Sequence, residues 1–243
     1  MCKFCELVNA AKIFDHDLKN NNDELLKKAA KKIDDDELCD IIRCKKNNGD
    51  LKLRYFECIL EGVKNINGKI FYDNSKKYPL LPYVLKTIEL DETTIDYVKL
   101  LVKYGVDVNL LSEDREHNSL MSLFLNDTMS NKYDIAKYLI EVGIDISART
   151  FGNKNNALHI LCQYVYDEKW DETAELLIDA GIDINEKNKH GKTPMDYTEK
   201  LEAVLEKRKD AIIASVRQKR KDAIIVSVRQ KMEEIDNLLA QLA

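Results

Sequence analysis

The chain has 243 residues, of which 44% are hydrophobic and 33% charged, with only 8 Gly and 3 Pro. That apolar content excludes a disordered polymer, and the scarcity of turn-forming residues favours a mostly helical protein over a turn-rich all-β one. The net charge of -5 is unevenly spread: nine Lys/Arg and two Asp between Lys207 and Lys231 give a local +7, which leaves -12 for the rest.

No window approaches the roughly 18 consecutive apolar residues of a spanning helix, so the chain is not expected to cross a membrane. Six cysteines (Cys2, Cys5, Cys39, Cys44, Cys58, Cys162) crowd toward the N-terminus, and Lys3 and Glu6 interrupt any apolar start. An intracellular, reducing, cytoplasmic setting is the expectation.

Residues 1–33 read as an N-terminal helical segment. Within it Cys2-x-x-Cys5 has the spacing of a zinc-ligand pair, which His16 or Cys39 and Cys44 would complete. Against this, no second Cys-x-x-Cys occurs, and Cys39, Cys44 and Cys58 stand among apolar residues at helical spacing, where free cysteine acts as a small hydrophobe. No metal or cofactor is therefore expected. The competing reading makes the N-terminal segment a Cys-rich metal-binding or enzymatic module.

From about residue 34 the chain repeats. A degenerate unit (34–77) has Asn48-Gly49-Asp50 between two helices and Ile59-Leu60-Glu61-Gly62 closing the second. Units 78–116, 117–154 and 155–191 follow, then a polar cap over 192–206 and a basic C-terminal helix over 207–243. Three segments align without gaps: Tyr97 to Asn109, Ile135 to Ser147 and Thr173 to Asn185. Each carries an apolar doublet (Leu100-Leu101, Leu139-Ile140, Leu176-Leu177) one helical turn before a glycine. Gly105, Gly143 and Gly181 are thus expected to end helices in the left-handed conformation, and Asp107, Asp145 and Asp183 to accept hydrogen bonds from the turn amides that follow.

Each unit opens with a shorter helix, as in Asn156-Ala-Leu-His-Ile-Leu-Cys-Gln163 and Gly191-Lys-Thr-Pro-Met-Asp-Tyr197. The run from Glu172 to Tyr197 resembles the ankyrin repeat, in which Leu-Leu-x-x-Gly-x-Asp-x-Asn is followed by a hairpin and Gly-x-Thr-Pro-Leu. Thr193 resembles that family's helix-capping threonine, Pro194 its proline at the first helical position, and His159 the histidine of its Thr-Pro-Leu-His motif.

The resemblance implies an all-α ankyrin-repeat solenoid of stacked helix-loop-helix units, and a non-enzymatic monomer that binds a protein partner through hairpin tips and concave helices. It also points to the ankyrin proteins of intracellular bacteria and large DNA viruses, and so to an effector or adaptor role with delivery into a host cell. On the hairpin side Leu110, Leu111, Arg149 and Phe151 occupy the finger positions that ankyrin proteins present to ligands.

The period departs from the family's 33 residues, and the excess lies between the two helices of each unit, in acidic stretches 88–94, 126–132 and 166–172. Tyr166 and Trp170, the sole tryptophan, fall in the last of these. They read either as partner-facing aromatics or as a satellite cluster covering the loop.

No nucleophile elbow or phosphate-cradling glycine loop occurs, and the scattered His16, His117, His159 and His190 pair with no nucleophile. No catalytic residue and no small-molecule substrate are expected, and His159 is expected to bond backbone. The acidic body disfavours nucleic acid.

In the tail, Lys207 to Gln218 recurs as Lys219 to Gln230 with a single difference, Ala214 against Val226. Twelve residues turn a helix by about 1200°, so equivalent positions stand about 120° apart and cannot share one face. The basic clusters read as an import signal, a lipid-binding helix, an arm for the acidic loops, or a neutral duplication. Ile235, Leu238, Leu239 and Leu242 form a short apolar stripe at its end.

Overall fold

Helices that end on glycine set the repeat. In the computed structural model, which describes residues 49–63, 65–68, 70–73, 76–112, 117–127, 132–165 and 167–242, the three aligned segments terminate identically. Gly105, Gly143 and Gly181 adopt φ of 85°, 90° and 89°. The glycine amide reaches back to the carbonyl of Val102, Ile140 or Ile178, and the next amide reaches five residues back to Leu101, Leu139 or Leu177. This double bond closes the orphan carbonyls of the helix end, and it buries Val106, Ile144 and Ile182 against the last turn.

The described elements run α1 (Gly49–Gly62), a short 3-10 turn (Ile66–Gly68), β1 (Ile70–Asp73), β2 (Lys76–Pro79), α2 (Leu80–Thr87), α3 (Thr94–Lys103), α4 (Ser119–Phe124), α5 (Lys132–Glu141), α6 (Ala157–Tyr164), α7 (Trp170–Asp179), a 3-10 turn (Pro194–Tyr197) and α8 (Lys200–Leu242). Contacts divide the chain after Thr198. In the first unit the short helices α2, α4, α6 and the Pro194–Tyr197 turn stack in one layer, and α1, α3, α5 and α7 stack in a second. The buried apolar residues of the three pairs are Leu81, Val84 and Leu85 with Val98 and Leu101 in α2 and α3, Leu120, Leu123, Phe124, Ile135 and Leu139 in α4 and α5, and Leu158, Leu161, Ala174 and Leu177 in α6 and α7. The fold is an all-α stack of helix-loop-helix units.

Three details differ from the sequence expectations. Residues 70–79 form an antiparallel pair with Phe71 opposite Tyr78, and Phe71 stacks on Tyr83 at 5.1 Å. The helix of the cap at Thr193-Pro194 is a single 3-10 turn. The long C-terminal helix starts at Lys200 rather than 207, and its side chains from Lys209 to Glu233 are exposed. It is one continuous helix, so the apolar residues of the two copies, Ile212, Ile213 and Val216 in one and Ile224, Ile225 and Val228 in the other, cannot align into one stripe. Among the described residues no helix is long and apolar enough to cross a membrane.

Candidate protein-interaction surface

Between α3 and α4, α5 and α6, and α7 and the Pro194 turn, the chain leaves the helical layers and returns. Each excursion starts with the same turn: Asp107, Asp145 and Asp183 each accept a 2.9 Å bond from the amide two residues on, as the sequence predicts. Successive turns are tied together. Asn67 donates to Gly105 O and accepts from Asp107 N, and Asn109 does the same with Gly143 O and Asp145 N. At the next position Ser147 turns its hydroxyl back to Asp145 instead.

Beyond each turn lies a hairpin whose closure the sequence reading missed. Ser112, Thr150 and Asn188, also 38 residues apart, donate their amides to the carbonyls of His117, Asn155 and Lys192. Their side chains accept the returning amides of His117, Asn155 and Lys192. All three are buried, and the detectable signal was a polar hydrogen-bonding residue at a constant 38-residue spacing.

The capping residues then re-enter the stack. Asn118 and Asn156 accept from the amides of Met121 and His159, and their side-chain nitrogens donate to Asp145 O and Asp183 O. Pro194 stands at the first position of its turn and is buried. Thr193 is extended at the cap position and forms a capping box with Asp196, its amide and hydroxyl both donating to the Asp196 carboxylate at 2.6 and 2.9 Å. Those bonds hold the Asp196 carboxyl below its ordinary pKa.

These ties fix what the tips display. Leu110 is half-buried, Leu111 is 40% exposed and Phe151 is 64% exposed. Arg149 is used inside the stack: its Nη2 donates to Lys187 O at 2.9 Å, its Nε to Lys154 O, and its Nη1 pairs with Glu186. It clamps the second hairpin to the third with its side chain 33% exposed. Trp170 departs from the partner-facing option. It is the first residue of α7, only 2% exposed, with Nε1 donating to Leu161 O at 3.3 Å. An indole with its one donor satisfied inside the stack offers nothing to a partner. Tyr166 lies outside the described residues, as do Cys2, Cys5, His16, Cys39 and Cys44.

The chain is similar to an ankyrin repeat domain. The solved structure in question is the ankyrin repeat domain of Bcl-3, described as a unique member of the IkappaB protein family. The match has 18% sequence identity and a TM-score of 0.46, and covers 63% of this chain and 62% of that one. No family model matches, and no curated protein matches.

Several titratable groups are tied into the fold. Asp91 Oδ1 accepts from the Thr93 amide and hydroxyl and from the Thr94 hydroxyl, and Asp134 pairs with Lys169 at 3.3 Å. Glu89, Glu92, Asp127 and Glu168 in the inter-helix loops are exposed, whereas Asp167 is half-buried and burial raises its pKa. Cys58 and Cys162 are buried in the stack, and burial pushes the Cys162 thiol up to about 12, which keeps it protonated and unreactive. Among the described residues no group of three or more His, Cys, Asp or Glu is arranged to hold a metal.

His159 is fully buried and bonds backbone, as expected: Nε2 meets Lys192 O at 3.0 Å, and Nδ1 lies 3.3 Å from the Asn156 amide, which donates to it. Nδ1 also lies 2.7 Å from Asn156 Oδ1, so which ring nitrogen donates depends on the tautomer. Burial lowers its pKa below the ordinary value, with Arg149 nearby acting in the same direction. The unfolded chain therefore binds a proton that the folded chain resists. Stability is fully present above about pH 6.5 and is lost as pH falls below it toward the lowered folded value. Urea unfolding across that range should show a steeper decline for the wild type than for His159→Gln, the common contribution of carboxylates cancelling in the difference.

Proposed function

We propose that this chain is a non-enzymatic interaction module of the ankyrin-repeat kind, whose hairpin edge binds a protein partner. The observation that carries the reading is Phe151, left 64% exposed on a hairpin that is otherwise immobilised by Thr150, Arg149 and the neighbouring tip. Large aromatic side chains on rigid supports supply binding energy at little ordering cost. Leu111, one unit earlier on the same edge, adds a second apolar contact. An effector or adaptor role toward a host protein is the setting that the resemblance to bacterial and viral ankyrin proteins suggests, and an intracellular location goes with it.

Affinity capture from a candidate cell lysate tests the assignment. Wild type should retain partners that Leu111→Asp/Phe151→Asp loses, while a chain ending at Glu206 keeps them. Partners untouched by the double substitution would remove the hairpin edge as the binding element, and partners lost only on truncation would move it to the basic helix.

A further inference from the structure

The chain is acidic overall, yet the tips of its second and third hairpins are not. Residues 149–154 and 186–192 hold Arg149, Lys154, Lys187, Lys189 and Lys192 against a single carboxylate, Glu186. That carboxylate is already neutralised by Arg149, and the nearby Asp196 is occupied by Thr193. The four lysines are exposed.

The two tips form one surface rather than two independent loops. The Lys189 amide donates to Asn153 O at 2.8 Å, the Asn188 side chain donates to Asn155 Oδ1 at 2.9 Å, and Arg149 spans to Lys187 O. Phe151 stands in this surface with the Lys154 ammonium 5.0 Å from its ring centre. The inter-helix loops carry the opposite charge, in Glu89, Glu92, Asp127 and Glu168.

We infer that the joined tips of the second and third hairpins take an acidic peptide segment of a partner protein, with an apolar side chain seated on Phe151 and carboxylates on Lys154, Lys187 and Lys189. The inference rests on the hairpin-edge reading above and adds the chemistry of the partner. Charge complementarity of this kind sets specificity and association rate, and the exposed aromatic supplies the anchor. A nucleic acid would meet the same lysines, so single-stranded DNA is the competing occupant in the test.

The test is selection of random displayed peptides on the full chain, followed by affinity measurement with the best synthetic peptide. Wild type should enrich peptides with an excess of Asp/Glu around an aliphatic or aromatic residue. Lys154→Glu/Lys187→Glu/Lys189→Glu, all at exposed positions and checked for unchanged circular dichroism, should lower the affinity about tenfold or more, and Phe151→Ser should lower it several-fold. Affinity should also fall as salt is raised. No enrichment, enrichment of neutral or basic peptides, unchanged affinity after charge reversal, or tighter binding of single-stranded DNA of matched charge would each overturn the inference. Neutral peptides that still require Phe151 would overturn only the acidic preference and leave the hairpin edge standing. Peptides indifferent to both Phe151 and the lysines would remove the two together.

Discussion

Replacing Trp170 by alanine is expected to cost about 3–5 kcal/mol of folding free energy, read as the shift of a urea unfolding curve followed by helical circular dichroism. Trp170, Thr173, Ala174 and Leu177 line one buried stripe of α7, and the indole lies against the end of α6, where Nε1 meets Leu161 O. Truncation would empty the largest side-chain volume in that unit. Trp170→Phe separates packing from hydrogen bonding. Leu161 O keeps its bond from Val165 N at 3.1 Å, so most of the stability should survive in that variant. A Trp170→Ala protein with unchanged stability and lost partner binding would return the residue to the surface role that the sequence left open.

Asn126→Ala should cost about 2–3 kcal/mol, and Asn126→Asp more, although Asp is nearly the same shape. The Asn126 side chain is 5% exposed, and its one amide nitrogen faces Leu85 O, Lys86 O and Ile88 O at 2.8, 3.2 and 2.7 Å. These carbonyls end α2, where a helix has no donors of its own. Alanine leaves them buried without this donor. Aspartate replaces the donor by an oxygen aimed at other oxygens. The backbone carbonyl of Asn126 in turn accepts from Lys132 Nζ at 2.7 Å, and Lys132 is only 3% exposed. This bond ties the first residue of α5 to the loop after α4, and burial lowers the Lys132 pKa. Unfolding curves of the three proteins, ordered wild type, Asn126→Ala, Asn126→Asp, check the sign. An aspartate variant as stable as wild type would show that the three carbonyls find other donors.

The glycine-ended helices, the aspartate turns and the buried histidine could be read from the chain alone, because each is a local event with a local signature. A glycine after an apolar doublet needs a positive φ whatever surrounds it. Trp170 was harder. Placed by its charged neighbours Lys169 and Asp171, it looks like a loop residue, yet its spacing to Thr173, Ala174 and Leu177 is that of a buried helical stripe, and extending α7 by one turn would have found it. Arg149 and Asn126 were not legible in that way. Their long-range backbone partners lie 38 to 41 residues away in other units, so no side-chain pattern announces them. The pairing of 70–73 with 76–79 sits between these extremes: Ile70-Phe71-Tyr72 has the composition of a strand, but the repeat pattern on either side draws attention to helices.

The interruption at Ser147 bears on how such a stack comes apart. In an array where each unit touches only its neighbours, resistance to opening is distributed over the joints, and the array parts at whichever is weakest under the prevailing conditions. The joints at Asn67 and Asn109 are fastened by neutral amide bonds, whereas the one after Ser147 adds the Arg149–Glu186 ion pair to the neutral bonds made by Asn188 and Asn156. Salt weakens a partly exposed ion pair and hardly touches an amide. Part of what holds the last unit therefore responds to ionic strength, and it is the unit bearing the most cationic tip of the stack.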